Sequence, residues 1–455
     1  MVEKLRKSLL YTFGISDLFF NLMASVEGYL FAAFLTDYAQ FSLMIVGQII
    51  LITSLVDIAC ALAAGFVLQR ITLGLGGKYR SWFLIGPPIV APLYVLQYTR
   101  IGSDFTAALI IILSFIASHL LWNVVYTATG SMVGRLSQIP EERTILSASR
   151  AQGLAGAGLI FSATALPMIT YFAVRTNKVT GFTITVGIYA ILMILGYLHI
   201  YKSTDGMDPY NETAIVTRQP LSEIIALVCK NPPLLWLVLA EVFRNGGGFI
   251  IAGFAFYHFA YVLKDLSFYP LFLLGLSIAR VIGTLAAPWV GVKLGKRNSY
   301  WIFLVLASVA FASAKFLGKT DFTFTAIFCI ASLAATIPFS MSTALFSDTV
   351  IFGEWKTGNN IRAFTMALLT LPIKVAIFFR SAVIAIGLPA IGFVANTTPA
   401  PGVADGISSI MTFTPAAAYA LAAAVFYFGY KIEEKQVVQM QHEIAERNMV
   451  EPVRA

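Results

Sequence analysis

The sequence predicts an all-α membrane protein with twelve transmembrane helices in two bundles of six. Three observations predict it. Of 455 residues, 58% are hydrophobic and 12% charged, and mean hydropathy is +0.79, where a soluble domain carries about 25% charged residues. Apolar stretches of about 20 residues, enough to cross a bilayer as a helix, recur along the whole chain. The longest polar interruption, 201–231, falls after the sixth of them.

In order, the predicted spans are 11–36, 42–69, 82–99, 105–133, 150–174 and 179–201, then 234–262, 267–292, 299–317, 322–347, 362–389 and 411–430. Residues 1–201 form the first bundle, 202–231 a cytoplasmic linker, 232–431 the second bundle and 432–455 a cytoplasmic tail. Within the linker, 221–230 reads as a short interfacial helix stopped by Asn231-Pro232-Pro233, because the residue before a proline is pushed out of the helical region. The 36 Phe and 19 Tyr suit lipid-facing helices and interfacial belts. Cys60, Cys229 and Cys329 lie in or beside apolar segments. They imply no disulfide framework and read as small packing residues.

The formal net charge is +8, yet no basic run with interleaved aromatics suggests a nucleic-acid partner. The cations gather in alternate short loops. Even-numbered connections hold Arg70, Lys78, Arg80, Arg135, Arg143, Lys202, Arg218, Lys230, Lys293, Lys296, Arg297 and Lys356, and the N-terminus holds Lys4, Arg6 and Lys7. Odd-numbered connections hold fewer: Arg100, Arg175, Lys178, Lys264 and Lys319. This asymmetry puts both termini in the cytoplasm of a cell-membrane protein. The basic residues 1–8 lead into a long span with no small-residue cleavage site, so they read as a cytoplasmic end rather than a signal peptide.

Two loops echo each other. Gly77-Lys78-Tyr79-Arg80-Ser81-Trp82 joins spans 2 and 3, and Gly295-Lys296-Arg297-Asn298-Ser299-Tyr300-Trp301 joins spans 8 and 9. A basic tight loop at corresponding places implies two related six-helix bundles, the parallel-repeat plan of the major facilitator fold, with a solute site between them near mid-membrane.

Ionisable side chains inside apolar segments are costly and mark function or pairing. Asp57 stands as the single ionisable group of 41–68. It is a candidate proton or cation site, or a structural partner for an intramembrane base such as Lys374. Asp17 in the first span, with Asn21 one turn on, could accept hydrogen bonds from sugar hydroxyls, or pair with a lysine at the interface. Lys374 follows Pro372 in the eleventh span and must pair or lose its proton, and Arg380 could snorkel. Glu27 and Arg280 are further charges within spans. Glu241 and Arg244, one turn apart, read first as a self-neutralising pair. Gly246-Gly247-Gly248 behind them would loosen their helix. His119 and His258 lack metal-ligand spacing and read as hydrogen-bonded core or pore residues. No nucleophile–base constellation, metal cluster or phosphate loop appears. The Gly-rich 74–77 stretch lacks the Gly-Lys-Ser/Thr ending of a P-loop. Neither an enzyme nor ATP-driven transport is expected.

Several passages together resemble the glycoside–pentoside–hexuronide:cation symporter family, whose best-known member is the melibiose permease. Tyr11-Thr12-Phe13-Gly14-Ile15-Ser16-Asp17 resembles the first-helix motif with its sugar-binding Asp. Asp57 resembles the first acid of the second-helix cation motif, and Gly77 to Leu84 its following loop. Glu142-Arg143 and Arg150 are similar to the loop and start of helix five, where an Arg contacts sugar. Residues 347–358, with Asp348, Glu354, Trp355 and Lys356, resemble the cytoplasmic signature after helix ten, and Lys374 falls at the family's eleventh-helix Lys. Two positions depart from the pattern. The second acid of the cation motif is Ala61, and the helix-four acid falls at Tyr126.

The resemblance implies a secondary transporter of a sugar or glycoside, a hexuronide included, working by alternating access. Asp17, Asn21, Tyr126, Arg150 and Lys374 would bind substrate, Asp57 and Lys374 would couple the cation, and Arg143, Asp348, Glu354, Trp355 and Lys356 would belong to the cytoplasmic gate. Na⁺ favours several hard oxygens. With Ala61 and Tyr126 replacing two of them, a proton as coupling ion, or no coupling, is expected over Na⁺, with no other cofactor. The intramembrane bases Arg150, Arg244, Arg280, Lys374 and Arg380 outnumber the acids Asp17, Glu27, Asp57 and Glu241, which tilts the expectation toward an anionic glycoside. The expected partners are a small polar solute and the bilayer, with the chain a monomer. A lysolipid or amphipathic-anion carrier on the same fold, and a non-transporting membrane sensor, stay open as alternatives.

Overall fold

The computed structural model describes residues 4–137, 139–208, 228–358 and 368–450. The helices are α1 (Lys7–Thr12), α2 (Ile15–Ala33), α3 (Leu43–Arg70), α4 (Arg80–Leu96), α5 (Asp104–Leu136), α6 (Pro140–Arg175), α7 (Lys178–Ser203), α8 (Pro232–Tyr257), α9 (Tyr269–Leu294), α10 (Lys296–Leu317), α11 (Asp321–Thr357), α12 (Leu371–Ala390), α13 (Pro401–Gly429) and α14 (Glu434–Val450). Two π-helical segments, Phe34–Tyr38 and His258–Leu263, extend α2 and α8. Among the described residues, eleven helical segments are long and apolar enough to cross a membrane. Arg80–Leu96, an apolar helix of 17 residues carrying Pro87, Pro88 and Pro92, occupies the place of the predicted third span.

Several boundaries differ from expectation. The first span is interrupted: α1 ends at Thr12 and α2 begins at Ile15, so Asp17 sits in the first turn of α2. The fifth begins at Pro140, a residue preorganised for a first helical position, and so includes Arg143. The tenth runs on to Thr357, making 347–357 helical rather than a loop. Gly358 ends it with φ 72°, a left-handed stop. The twelfth starts at Pro401, ten residues before its predicted boundary at 411. Hydropathy marks where a helix meets lipid, and these helices continue into polar sequence. Cys229 is exposed, so it is not a packing residue. Most of the expected 221–230 helix lies outside the described residues.

The chain divides into two compact units. Unit 1 holds residues 1–214 with 255–277 and 381–404. Within it α2 packs on α6 and α7, α3 on α5, α4 on α5 and α7, and α6 on α7. Its two later segments are tied in by hydrogen bonds. Thr36 and Tyr257 share one at 3.0 Å, the Tyr261 hydroxyl donates to Asp37, and Asn396 Nδ2 donates to the Asp37 carbonyl at 3.1 Å. Unit 2 holds 215–254, 278–380 and 405–455. There α10 packs on α11, and α14 docks on α11.

The two echoing loops make matching contacts in their own units. In unit 1, Asp208 accepts from the backbone N–H groups of Tyr79 (2.6 Å) and Arg80 (3.0 Å) at the start of α4, and Arg80 Nε donates to the Tyr201 carbonyl (2.7 Å). In unit 2, Glu434 accepts from the Lys296 N–H (2.7 Å) at the start of α10, and Arg297 Nε donates to the Tyr430 carbonyl (3.0 Å). In each case a carboxylate satisfies orphan N–H groups at a helix N-terminus, and an arginine ties that helix to the end of a later one. Gly77 has no room for a side chain, since a Cβ would come within 2.6 Å of Asp208.

Candidate substrate and coupling site

The break between α1 and α2 sets the site. Gly14 donates its N–H to Ser149 Oγ at 2.9 Å, and Ser149 Oγ donates to the Tyr11 carbonyl at 3.0 Å. A Cβ on Gly14 would lie 1.9 Å from the Ser149 carbonyl oxygen, and one on Gly153 would lie 2.2 Å from the Gly14 oxygen. Small residues therefore let α2 and α6 touch backbone to backbone. Asp17 and Arg150 face each other across that contact. Arg150 Nε donates to Asp17 Oδ2 (2.9 Å) and Oδ1 (3.1 Å), and Nη2 donates to Oδ1 (2.8 Å). This is the forked geometry that makes arginine–carboxylate pairs strong. The carboxylate also gains from the helix N-terminus beneath it.

The Asp17 side chain is 6% exposed and that of Arg150 21%. Among the described residues, the hydrogen bonds of Arg150 all run from Nε and Nη2, so its Nη1 edge keeps donors for another group. Beside it lies an aromatic shelf. The Arg150 guanidinium sits 5.6 Å from the Tyr126 ring centre, Tyr126 stacks on Phe20 at 5.2 Å, and Phe20 meets Trp122 at 4.0 Å. Tyr126 is 43% exposed, so part of it is open to a ligand. Asn21 donates to the Asp17 carbonyl at 2.7 Å, which spends one amide hydrogen on its own helix.

Asp57 on α3 is buried and accepts from Asn123 Nδ2 at 3.0 Å. Asn123 donates also to the His119 carbonyl at 2.8 Å. His119 Nε2 lies 3.0 Å from Glu27 Oε2. Lys374 stands half-buried in the first turn of α12. Asp57 belongs to unit 1 and Lys374 to unit 2.

Of the remaining predicted positions, Arg143, Asp348 and Trp355 hold helices together, while Glu354 and Lys356 make contacts within α11 and its cap. Arg143 Nε donates to the Ser137 carbonyl (2.7 Å) at the end of α5. Lys296 pairs with Asp348 at 2.6 Å. Trp355 Nε1 donates to Glu443 Oε2 (2.6 Å) and Arg447 Nη2 to the Trp355 carbonyl (3.1 Å), which fastens α14 to the end of α11. The Trp355 indole holds the Glu443 carboxyl below its ordinary range. Lys356 Nζ lies 5.7 Å from the Phe352 ring centre, and the Glu354 carbonyl accepts the Gly358 N–H. Glu241 and Arg244 form the expected pair, buried with Tyr300 and Ser342 also donating to Glu241. The glycines behind them sit in an unbroken α8, where a Cβ on Gly247 would lie 2.7 Å from the Tyr419 ring.

Sequence reasoning missed Phe20, Trp122, Asn123 and the Glu27–His119 contact. Helical spacing held a signal: Phe20 follows Asp17 by three residues, and Trp122 precedes Tyr126 by four, so each shares a face with its neighbour.

Long apolar helices carrying buried, paired charges make this a multi-pass membrane protein, and the family its sequence matches makes it a transporter rather than an enzyme. The chain belongs to the family described as MFS/sugar transport protein, whose family model matches residues 12–434. It is 26% identical over 450 residues to the uncharacterized symporter YjmB of Bacillus subtilis, covering 96% of this chain and 95% of that one. It is 27% identical to a putative sulfoquinovose importer of Escherichia coli, covering 97% and 94%. In fold it is similar to the crystal structure of a D-xylose-proton symporter, with a TM-score of 0.70 at 13% identity over 93% of this chain and 98% of that one.

Proposed function

We propose that the protein carries a sugar or glycoside across the cell membrane by alternating access, with a proton as the coupling ion, and that the solute seats on Asp17, Arg150 and Tyr126. The observation that supports this most is the forked Asp17–Arg150 pair beside the open Tyr126 ring. Three hydrogen bonds hold the pair, and its Nη1 edge is available to a hydroxyl or an acid group. The aromatic face suits the C–H surface of a sugar ring. Asn21 contributes a further polar group, Lys374 is a further candidate for solute binding and cation coupling, Asp57 carries the coupling proton, and the signature residues from Asp348 to Lys356 order the cytoplasmic side. Ala61 and Tyr126 leave too few hard oxygens for Na⁺. Both termini face the cytoplasm and the chain works as a monomer.

Pairing weakens the charge count that favours an anionic solute, since Arg150 is neutralised by Asp17 and Arg244 by Glu241. The Nη1 edge of Arg150 and the likeness to a putative sulfoquinovose importer still favour a sugar acid. Purified protein in proteoliposomes, given an inward proton gradient, tests this with sulfoquinovose, methyl β-D-glucuronide and methyl β-D-glucoside. The acidic probes are expected to be taken up with kcat/KM about tenfold or more above the glucoside, the scale of one charge-assisted hydrogen bond. Absence of saturable uptake or counterflow for all three overturns the sugar reading. Preference for the glucoside overturns the sugar-acid reading alone.

A further inference from the structure

The sugar site leaves Glu27 and His119 without a task. The His119 side chain is 2% exposed and that of Glu27 16%, with Nε2 and Oε2 3.0 Å apart. On the far side of the ring, Nδ1 lies 3.1 Å from the Phe115 carbonyl oxygen and 3.1 Å from Ser118 Oγ. Ser118 itself donates to the Phe115 carbonyl (3.0 Å) and accepts from Gln97 Nε2 (2.7 Å). A carbonyl only accepts, so the Nδ1 contact is a hydrogen bond when Nδ1 carries a proton. In the opposite tautomer two lone pairs would face each other there, and Nδ1 would depend on the Ser118 hydroxyl turning from the Phe115 carbonyl to donate to it. With Nδ1 protonated, Nε2 offers either a lone pair or a second N–H. A carboxyl oxygen at 3.0 Å then requires one proton between them. Either Glu27 is a carboxylic acid donating to Nε2, or His119 is an imidazolium donating to a carboxylate. The pair is neutral both ways, which suits the interior of a bundle.

We infer that Glu27 and His119 form a proton-binding site in unit 1, holding one exchangeable proton between Oε2 and Nε2. The inference rests on the proton-coupled reading above and deepens it by adding a second proton site beside Asp57, which Asn123 joins to the His119 carbonyl. When the proton leaves for water along the exposed edge of Glu27, a carboxylate faces a bare Nε2 lone pair, and the contact between α2 and α5 opens. Those two helices also carry the sugar residues: Asp17 stands on α2, and Tyr126 stands two turns along α5 from His119 on the same face. Proton occupancy and solute binding therefore bias the same helix pair, and their coupling is reciprocal. The titratable groups facing the site are Tyr94 of α4, with Tyr98 just beyond that helix hydrogen-bonded to it, and Asp57 of α3 through Asn123. Among the described residues, no lysine or arginine pairs with Glu27 or His119.

The test uses the full chain in lipid. Nitrogen-15 spectra of histidine-labelled wild type should show His119 with a protonated Nδ1 and a strongly hydrogen-bonded or protonated Nε2, and Glu27→Gln should shift the Nε2 line. In proteoliposomes, Glu27→Gln and His119→Gln should each lower gradient-driven accumulation of methyl β-D-glucuronide about tenfold more than counterflow, as expected when a proton site is lost and solute binding is not. A neutral His119 protonated at Nε2 overturns the inference, as does normal accumulation by both variants while wild type responds to the proton gradient. If wild type ignores the gradient, the coupled reading fails by itself, and the spectra still decide whether the pair binds a proton.

Discussion

Arg150→Ala should lower kcat/KM for methyl β-D-glucuronide by about 100-fold or more, roughly 3 kcal/mol, the scale for removing one partner of a desolvated hydrogen-bonded charge pair. Two losses combine in that figure. The solute loses the Nη1 donors, and Asp17 is left as a buried carboxylate without its fork. Arg150→Lys keeps the charge but presents a single ammonium where three bonds ran to two oxygens, so a smaller but clear deficit is expected. Methyl β-D-glucoside should lose less than the glucuronide in Arg150→Ala. Initial uptake rates across a concentration series check this. Equal losses for both probes would show that Arg150 serves Asp17 or the hydroxyls and not the acid group.

Glu241→Ala should be the most destabilising single change in unit 2. Glu241 and Arg244 are 3% and 6% exposed. The carboxylate accepts from Arg244 Nε (3.0 Å) and Nη2, Tyr300 Oη (2.7 Å) and Ser342 Oγ. Its removal strands a buried guanidinium and two buried hydroxyls, a loss of about 3–5 kcal/mol. Thermal unfolding in a mild detergent measures it. Glu241→Gln should fall between wild type and alanine, because the amide still accepts. The double change Glu241→Met, Arg244→Met should recover part of the loss, since no lone charge remains. A midpoint for Glu241→Ala within about 1 °C of wild type would mean that the network does not support the fold.

Much of the architecture was legible because lipid imposes a simple rule. A spanning segment must be apolar for about 20 residues and helical throughout, so the spans stand out. The paired charges were legible in part, for a related reason. Glu241 and Arg244, costly alone in apolar surroundings, are found as the expected pair, whereas Asp17, expected to bind hydroxyls or pair with a lysine, is found against Arg150 from a distant helix. Hydropathy says less about where a helix stops once it leaves lipid, so the extensions before Arg150 and through Thr357 were not visible. It also says nothing about backbone breaks within an apolar run. The interruption at Phe13 and Gly14 depends on a close approach to Ser149 and Gly153 on a helix far along the chain. His119 gave no hint of Glu27 because that contact joins α2 to α5. The aromatic shelf of Phe20, Trp122 and Tyr126 was hidden among many aromatics that face lipid or core.

The central claim, a glycoside carried with a proton, is tested most directly by the pH of the medium when solute is added. Proteoliposomes holding the wild-type chain, with no imposed gradient and with lightly buffered Na⁺-free medium outside, receive methyl β-D-glucuronide or sulfoquinovose. The account predicts a transient alkalinisation outside that follows solute entry, collapses with a protonophore and is absent with Arg150→Ala. Solute uptake that leaves the medium pH unchanged, or that starts only when Na⁺ is supplied, would contradict it.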